Sequence, residues 1–288
     1  MAEESAIRNV SDTALWVAMY RAMESERSDA LFYDPYARQL AGERGERIIR
    51  EIRMPGWPIV VRTQVLDELI LKAVEEQGCD TVLNLAAGLD TRPYRLALPA
   101  TLRWVEADLA PMIEYKNAAL KDAKCFCRLE RHAVDLADPA ARRALFTRVG
   151  AAADKVLVIT EGLLIYMDEA QVRSLTQDLH QQVSFKRWLM DISSPALLIY
   201  LARQHKGGGL TGNREVSFKF APGEGVEYFR PLGWNPAEYH ELAVEAKRLD
   251  RLEVPFLMQL AWRLMAAFNP KFRGRMRRFS GIAAFDRA

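Results

Sequence analysis

The residues best placed to do chemistry in this chain are carboxylates that close short apolar runs: Asp90, Glu106-x-Asp108, Asp135, Glu161 and Asp191. Just before Asp90 stand Ala86, Ala87 and Gly88, small residues that let a backbone turn approach a ligand closely. The Glu106-x-Asp108 pair follows about 20 residues later, the offset at which a carboxylate meets ribose hydroxyls. A carboxylate accepts hydrogen bonds from two hydroxyls and repels a phosphate. Asp135 could take the exocyclic amine of a purine, and Leu136 could lie against its ring. The turn itself is neither a dinucleotide fingerprint nor a phosphate loop, because Ala86 stands where a glycine would start one and no Gly-Lys-Ser/Thr follows. The pattern therefore suits a nucleoside without phosphates, and the combination points to S-adenosyl-L-methionine.

The elements that position these groups can be read from periodicity. Residues 11–80 read as mainly helical. "DTALWVAMYRAMESE" puts Ala14, Leu15, Ala18, Met19 and Ala22 on one stripe, and "IVVRTQVLDELILKAVEEQ" forms a longer helix stopped by Gly78. From Thr81 onward, strand and helix alternate five times up to residue 195: "TVLNLAA", "LRWVEADL", "CFCRLERHAVDL", "KVLVITEGLLIYM" and "KRWLMDISSP" read as strands. That alternation predicts an α/β fold with a doubly wound, mainly parallel sheet, whose ligands sit at the carboxyl ends of the strands. We divide the chain into a helical cap over 1–80, an α/β core over 81–195, and an insertion with remaining core elements over 196–288, all in one domain. Residues 205–225 are Gly-rich and read as a loop, with 206–213 as a candidate lid. After it we expect a strand, a turn at Gly233-Trp234 and a helix starting near Pro236.

Composition narrows the function classes. Of 288 residues, 50% are hydrophobic and 27% charged, the profile of a folded globular protein. A net charge of +2 is too mild to imply nucleic acid, and none is expected as a partner. The basic stretch "NPKFRGRMRRFSG" at 269–281 reads as a surface strip. Three cysteines lack the spacing of a disulfide or zinc framework, so no metal is expected. The polar, acidic start "MAEESAIRNV" is not a secretory signal, and no run of about 18 apolar residues exists, so we expect no membrane span and a cytoplasmic location.

Six blocks, in order, resemble the leucine carboxyl methyltransferase family, in particular its bacterial branch linked to O-methylation in polyketide biosynthesis. They are "TALWVAMYRAMESERSDALFYDPYARQLAG" (13–42), "VVRTQVLDELI" (60–70), "VLNLAAGLDTRPYRL" (82–96), "WVEADLAPMIEYK" (104–116), "VDL" (134–136) and "TEGLLIYM" (160–167). The resemblance implies a Rossmann-like class I methyltransferase fold and S-adenosyl-L-methionine as cofactor. It implies that Arg62 binds the cofactor's carboxylate, that Ala87 and Gly88 underlie its methionine part, and that Asp108 holds the ribose. It places Asp135 and Leu136 at the adenine, Glu161 at the sulfonium and amino end, Arg21 among the basic residues of the site, and Tyr166 toward the acceptor. Ala86 departs from the family's usual glycine, which is tolerable if its φ is negative.

Methyl transfer to a carboxylate needs no strong base, whereas a phenol or alcohol needs one. Four histidines are present, and only His205, at the mouth of the Gly-rich loop, is a candidate for catalysis. The sequence favours a small-molecule acceptor bearing a carboxylate or hydroxyl. A protein carboxylate, an RNA, and a non-catalytic cofactor-binding role remain open beside it.

Overall fold

In the computed structural model, residues 10–52, 54–204, 218–252 and 279–288 are described. One sheet organises them. Its strands are β1 (Thr81–Leu85), β2 (Arg103–Asp108), β3 (Arg128–Ala133), β4 (Val156–Thr160), β5 (Phe185–Ser193), β6 (Trp234–Glu241) and β7 (Ser280–Arg287), in the order β3-β2-β1-β4-β5-β7-β6. The first five run parallel, while β7 is antiparallel to both of its neighbours, β5 and β6. The order reverses between β1 and β4, and a crevice opens beyond the carboxyl ends of strands at such a point.

Burial follows position. The central strands "TVLNL" and "VLVIT" are buried at every residue, as strands covered on both faces must be. Alternate side chains feed two cores. Leu83, Val105, Val158, Trp188 and Phe285 face one, and Val82, Trp104, Leu157 and Leu189 face the other. The helix α3 (Trp57–Glu75) packs on the second core through Val61, Leu66, Leu69 and Ile70. The helices α6 (Pro139–Ala151) and α7 (Glu169–His180) cover the first. Asp138 caps α6 and Asp168 closes a capping box on α7.

The leading helices α1 (Val10–Ser25) and α2 (Ala37–Ile52) bury Ala18, Met19, Ala22, Leu40 and Ala41 against Leu89, Tyr94 and Met112. They thus sit over the loop that leaves β1 and over α4 (Arg92–Arg95) and α5 (Ala110–Ala119). Trp16, Tyr20, Ile48 and Ile59 form a smaller apolar cluster with Tyr166 at its edge.

Three expectations change. The strand expected between the Gly-rich loop and Gly233 is a 3-10 helix (Gly225–Leu232). The helix expected near Pro236 is strand β6, and a helix (Leu242–Arg248) begins only after it. Pro236 fits because β6 lies at the sheet's edge and its pairing with β7 shifts between Pro236 and Glu238, where a missing N–H costs little. The turn at Gly233 is as expected, with a left-handed φ of 88°. Ala86 adopts φ 52°, not the negative value that would make alanine easy there. The Gly-rich segment 206–213, His205 and the basic stretch 269–278 lie outside the described residues.

Candidate active site

The carboxyl ends of β1, β2 and β4 converge on a layered group of charges. Asp108, at the end of β2, accepts hydrogen bonds from the Gly88 N–H and the Leu109 N–H, both at 2.7 Å. These anchor the carboxylate but use only one lone pair of each oxygen. Among the described residues Asp108 has no ion-pair partner. Burial pushes its pKa up, and the two backbone donors only partly offset this. Its neighbour Glu106 serves the framework instead. It is fully buried between Lys116 at 2.9 Å and Arg131 at 2.8 Å, tying β2 to α5 and β3.

Glu161 follows β4 and receives two guanidinium groups, Arg62 from α3 at 2.8 Å and Arg92 from α4 at 2.8 Å. Burial opposes its charge, yet Arg92 and Arg62 outweigh burial and hold its pKa below the ordinary value. Arg62 also meets Asp191 of β5 at 3.5 Å, and burial is again overcome, so its pKa lies above normal. No hydrogen bond to a described residue occupies Arg62 Nη2, which leaves part of the guanidinium fork for an incoming carboxylate. Gly162, with φ 64°, sends its N–H to Asp191 at 2.5 Å and brings the backbone past Arg62; a Cβ there would lie 3.7 Å from Nη1.

Arg92 is the hinge of the arrangement. It is buried and bonds Asp67 at 2.6 Å, Asp90 at 2.8 Å and Glu161 at 2.8 Å. Asn84 of β1 completes Asp90. Thr91 donates to Asp34 from the cap, and Arg95 pairs with Asp67. The stretch Asp90-Thr91-Arg92 thus fastens the β1 turn to α3, α4 and the cap.

Arg21 reaches from α1 to the turn that follows β1. It is buried, paired with Asp34 at 2.9 Å, and donates to the Leu89 carbonyl at 2.6 Å. Its charge is committed to holding the turn. Ala87 and Gly88 lie in the turn as expected, and Gly88 carries φ 47° with Ala14 of α1 above it. Asp135 is exposed and accepts from the Ala137 N–H at 2.8 Å, while Leu136 is buried in the core beside β2. Tyr166 lies on a short 3-10 turn (Leu164–Tyr166) after Glu161, packs on Phe218, and hydrogen-bonds Thr13 of α1. Burial raises its pKa, with the Thr13 bond opposing, so it keeps its proton at neutral pH.

Sequence reasoning assigned no role to Asp67, Asn84 or Thr13 and noted Asp191 only as a strand end. Asp67 stands five residues after Arg62 on α3, but nothing local marks it as the partner of Arg92 and Arg95. Its signal was a carboxylate on a face that otherwise packs against the sheet.

The residues just described are concentrated in one stretch of the chain. Residues 14–180 match the model of the leucine carboxyl methyltransferase family. The chain belongs to that family. The match runs from α1 to the end of α7 and contains every charge in this cluster except Asp191. Relatives include a protein of Streptomyces coelicolor, 37% identical over 183 residues, with 59% of this chain and 64% of that protein covered. Another, from Mycolicibacterium smegmatis, is 39% identical over 188 residues, with 58% and 61% covered. Both are named as candidate S-adenosyl-L-methionine-dependent methyltransferases. The chain spans just under two thirds of the length of the curated relatives it matches. Among solved structures, a DUF574-family protein of Streptomyces avermitilis superposes with TM-score 0.57 at 13% identity, covering 94% of this chain and 97% of that one. A candidate methyltransferase of Thermobifida fusca gives 0.54 at 15%, covering 98% and 96%. At these identities the likeness shows the fold alone, a Rossmann-like α/β architecture.

Proposed function

We propose that this family member is an S-adenosyl-L-methionine-dependent O-methyltransferase acting on a small organic acceptor, with a carboxylate as the favoured methyl-accepting group. The observation that carries the reading is Asp108: a half-buried carboxylate pinned by two backbone N–H groups, with lone pairs to spare and no ion-pair partner among the described residues. Such a group is suited to two neighbouring ribose hydroxyls. Arg62 would take the amino-acid carboxylate, Glu161 the ammonium end, and the Ala86–Gly88 turn would lie under the methionine chain. Asp135 and Leu136 would flank the adenine.

The cofactor would supply an electrophilic methyl carbon. The protein's part is alignment of the acceptor oxygen with it, and positioning of this kind supplies up to about 7–11 kcal/mol in well-oriented cases. Neither Glu161, held ionised by two arginines, nor Tyr166, which keeps its proton, is tuned as a general base. Both suit an acceptor that arrives already ionised. Tyr166 would then donate a hydrogen bond to orient it. The apolar cluster of Trp16, Tyr20, Ile48 and Ile59 beside Tyr166 would give a small polyketide-like acceptor an apolar backing. His205 remains a candidate for a hydroxyl acceptor.

Calorimetric titration with S-adenosylhomocysteine tests the cofactor: micromolar binding by the wild type, lost in Asp108→Ala, is expected. A panel of small carboxylic acids and phenols with labelled cofactor tests the acceptor. A methyl ester releases methanol in alkali and an aryl ether does not, so a base-stable product would overturn the carboxylate reading.

A further inference from the structure

Cys125 and Cys127 lie in the bend between α5 and β3, apart from the carboxylates of the site. Their Sγ atoms are 3.6 Å apart. Both thiols are half-buried, and Phe126 between them is 54% exposed, so the segment lies at the surface. The neutral Cys125 thiol donates to the Pro93 carbonyl at 3.2 Å. The Cys127 thiol hydrogen-bonds to Cys125 and lowers its pKa to about 7, and the same shared proton pushes Cys127 upward. Cys79 is the contrast: it is buried, and burial pushes its thiol up to about 11.

We propose that Cys125 and Cys127 form a reversible dithiol–disulfide site that reacts with low-molecular-weight disulfides. The Cys125 thiolate attacks one sulfur of the small disulfide. That S–S bond breaks, one thiolate leaves and takes up a proton, and a mixed disulfide remains on Cys125. Cys127 then loses its proton and attacks the Cys125 sulfur, expelling the second small thiolate. The two protein thiols are oxidised by two electrons, and one small disulfide is reduced to two thiols. The sulfurs have to close from 3.6 Å to about 2.05 Å. A ring spanning one intervening residue is strained, and strained, accessible disulfides are the readily reduced ones. Closure removes the Cys125 donor from Pro93, but the Phe126 N–H still donates to the same carbonyl at 3.0 Å, so α4 keeps its tether.

The test uses the full chain in a series of buffers of reduced and oxidised glutathione, with alkylation under denaturing conditions and intact-mass analysis. Oxidising buffers are expected to yield a species lighter by two hydrogens with one alkylatable thiol, and dithiothreitol restores three. In Cys127→Ser a stable glutathione adduct should accumulate on Cys125. In Cys125→Ser, glutathionylation at pH 7 should slow by at least about tenfold, because the low-pKa thiol is gone. Cys79→Ser should behave as the wild type. A wild type that stays fully reduced in glutathione disulfide, holds a glutathione adduct without closing, or forms disulfide-linked dimers would overturn the proposal.

Discussion

In the proposed reading Asp108 receives the ribose hydroxyls, and backbone N–H groups hold it there without an ion pair among the described residues. Its pKa is raised above 3.8 by burial, and ribose hydroxyls donating to it would favour the ionised form. Binding should therefore release a proton near that pKa, and affinity for S-adenosylhomocysteine should fall as pH drops through it. Asp108→Asn should lose about 10–100-fold in affinity, the loss of one or two charge-assisted hydrogen bonds, and should flatten the acid limb of the profile. Titration calorimetry between pH 4 and 8 on both proteins (roughly the range of carboxylate titration) checks this; an unchanged acid limb in the variant would assign the effect elsewhere. Ala86 makes a second residue-scale case. Its φ of 52° costs an L-residue about 1–2 kcal/mol, which exceeds the extra unfolded-state entropy of a glycine. Ala86→Gly should therefore raise the thermal midpoint slightly, by about 1–4 °C, as read by differential scanning calorimetry. A lowered midpoint would mean that the methyl group packs well enough to outweigh the strain.

At the scale of elements, α4 is only four residues long and gains its stability from charges on every side. Arg92 satisfies Asp67, Asp90 and Glu161 at once, so Arg92→Ala would leave buried carboxylates short of a partner. Removing one member of a buried pair costs about 3–5 kcal/mol. Arg62 and Arg95 remain to serve Glu161 and Asp67, which places the expected loss at the low end, or roughly 6–12 °C in thermal midpoint. Loss of less than a few degrees would show that water replaces Arg92 cheaply. The five parallel strands were legible in sequence because each is a local apolar run broken by a polar cluster. Strand β7 was not: "SGIAAFDR" earns its place only by pairing with β5, nearly 100 residues earlier in its hydrogen-bonded register of Arg187 with Asp286, and with β6. Pro236 misled for a related reason, since a proline opens a helix or sits on a sheet edge and only the sheet order decides which. In the site, the strand-end carboxylates were visible, but the division of labour between Glu106 and Asp108 was not. That division depends on Lys116 and Arg131, which reach Glu106 from two other elements. Arg21 was likewise legible as a basic residue near the turn, but its partner Asp34 was not.

Across the whole molecule, the cap, the turn after β1 and the sheet are joined by buried and half-buried carboxylates that depend on arginines. Asp34 binds Arg21 and Thr91, Asp90 binds Arg92 and Asn84, and Glu161 binds Arg62 and Arg92. For each, burial works against ionisation, but the facing arginines outweigh it, and the pKa lies below the ordinary value. The sign follows by linkage. A carboxylate with a folded pKa below its unfolded one contributes stability that is complete above the unfolded value of about 4 and is lost as pH falls through the folded one. Asp108 acts in the opposite sense and softens the loss slightly, since its raised pKa means that protonation relieves its burial. The net expectation is a urea midpoint that is nearly flat from about pH 8 to 5 and declines steeply below about pH 4.5, with the cap and the sheet unfolding together because these pairs link them. Buried pairs are poorly screened, so the decline should persist in about 1 M salt, where exposed pairs such as Arg38 with Glu26 no longer contribute. A decline that vanished at high salt would place the acid sensitivity on the surface and not in the links between cap and sheet.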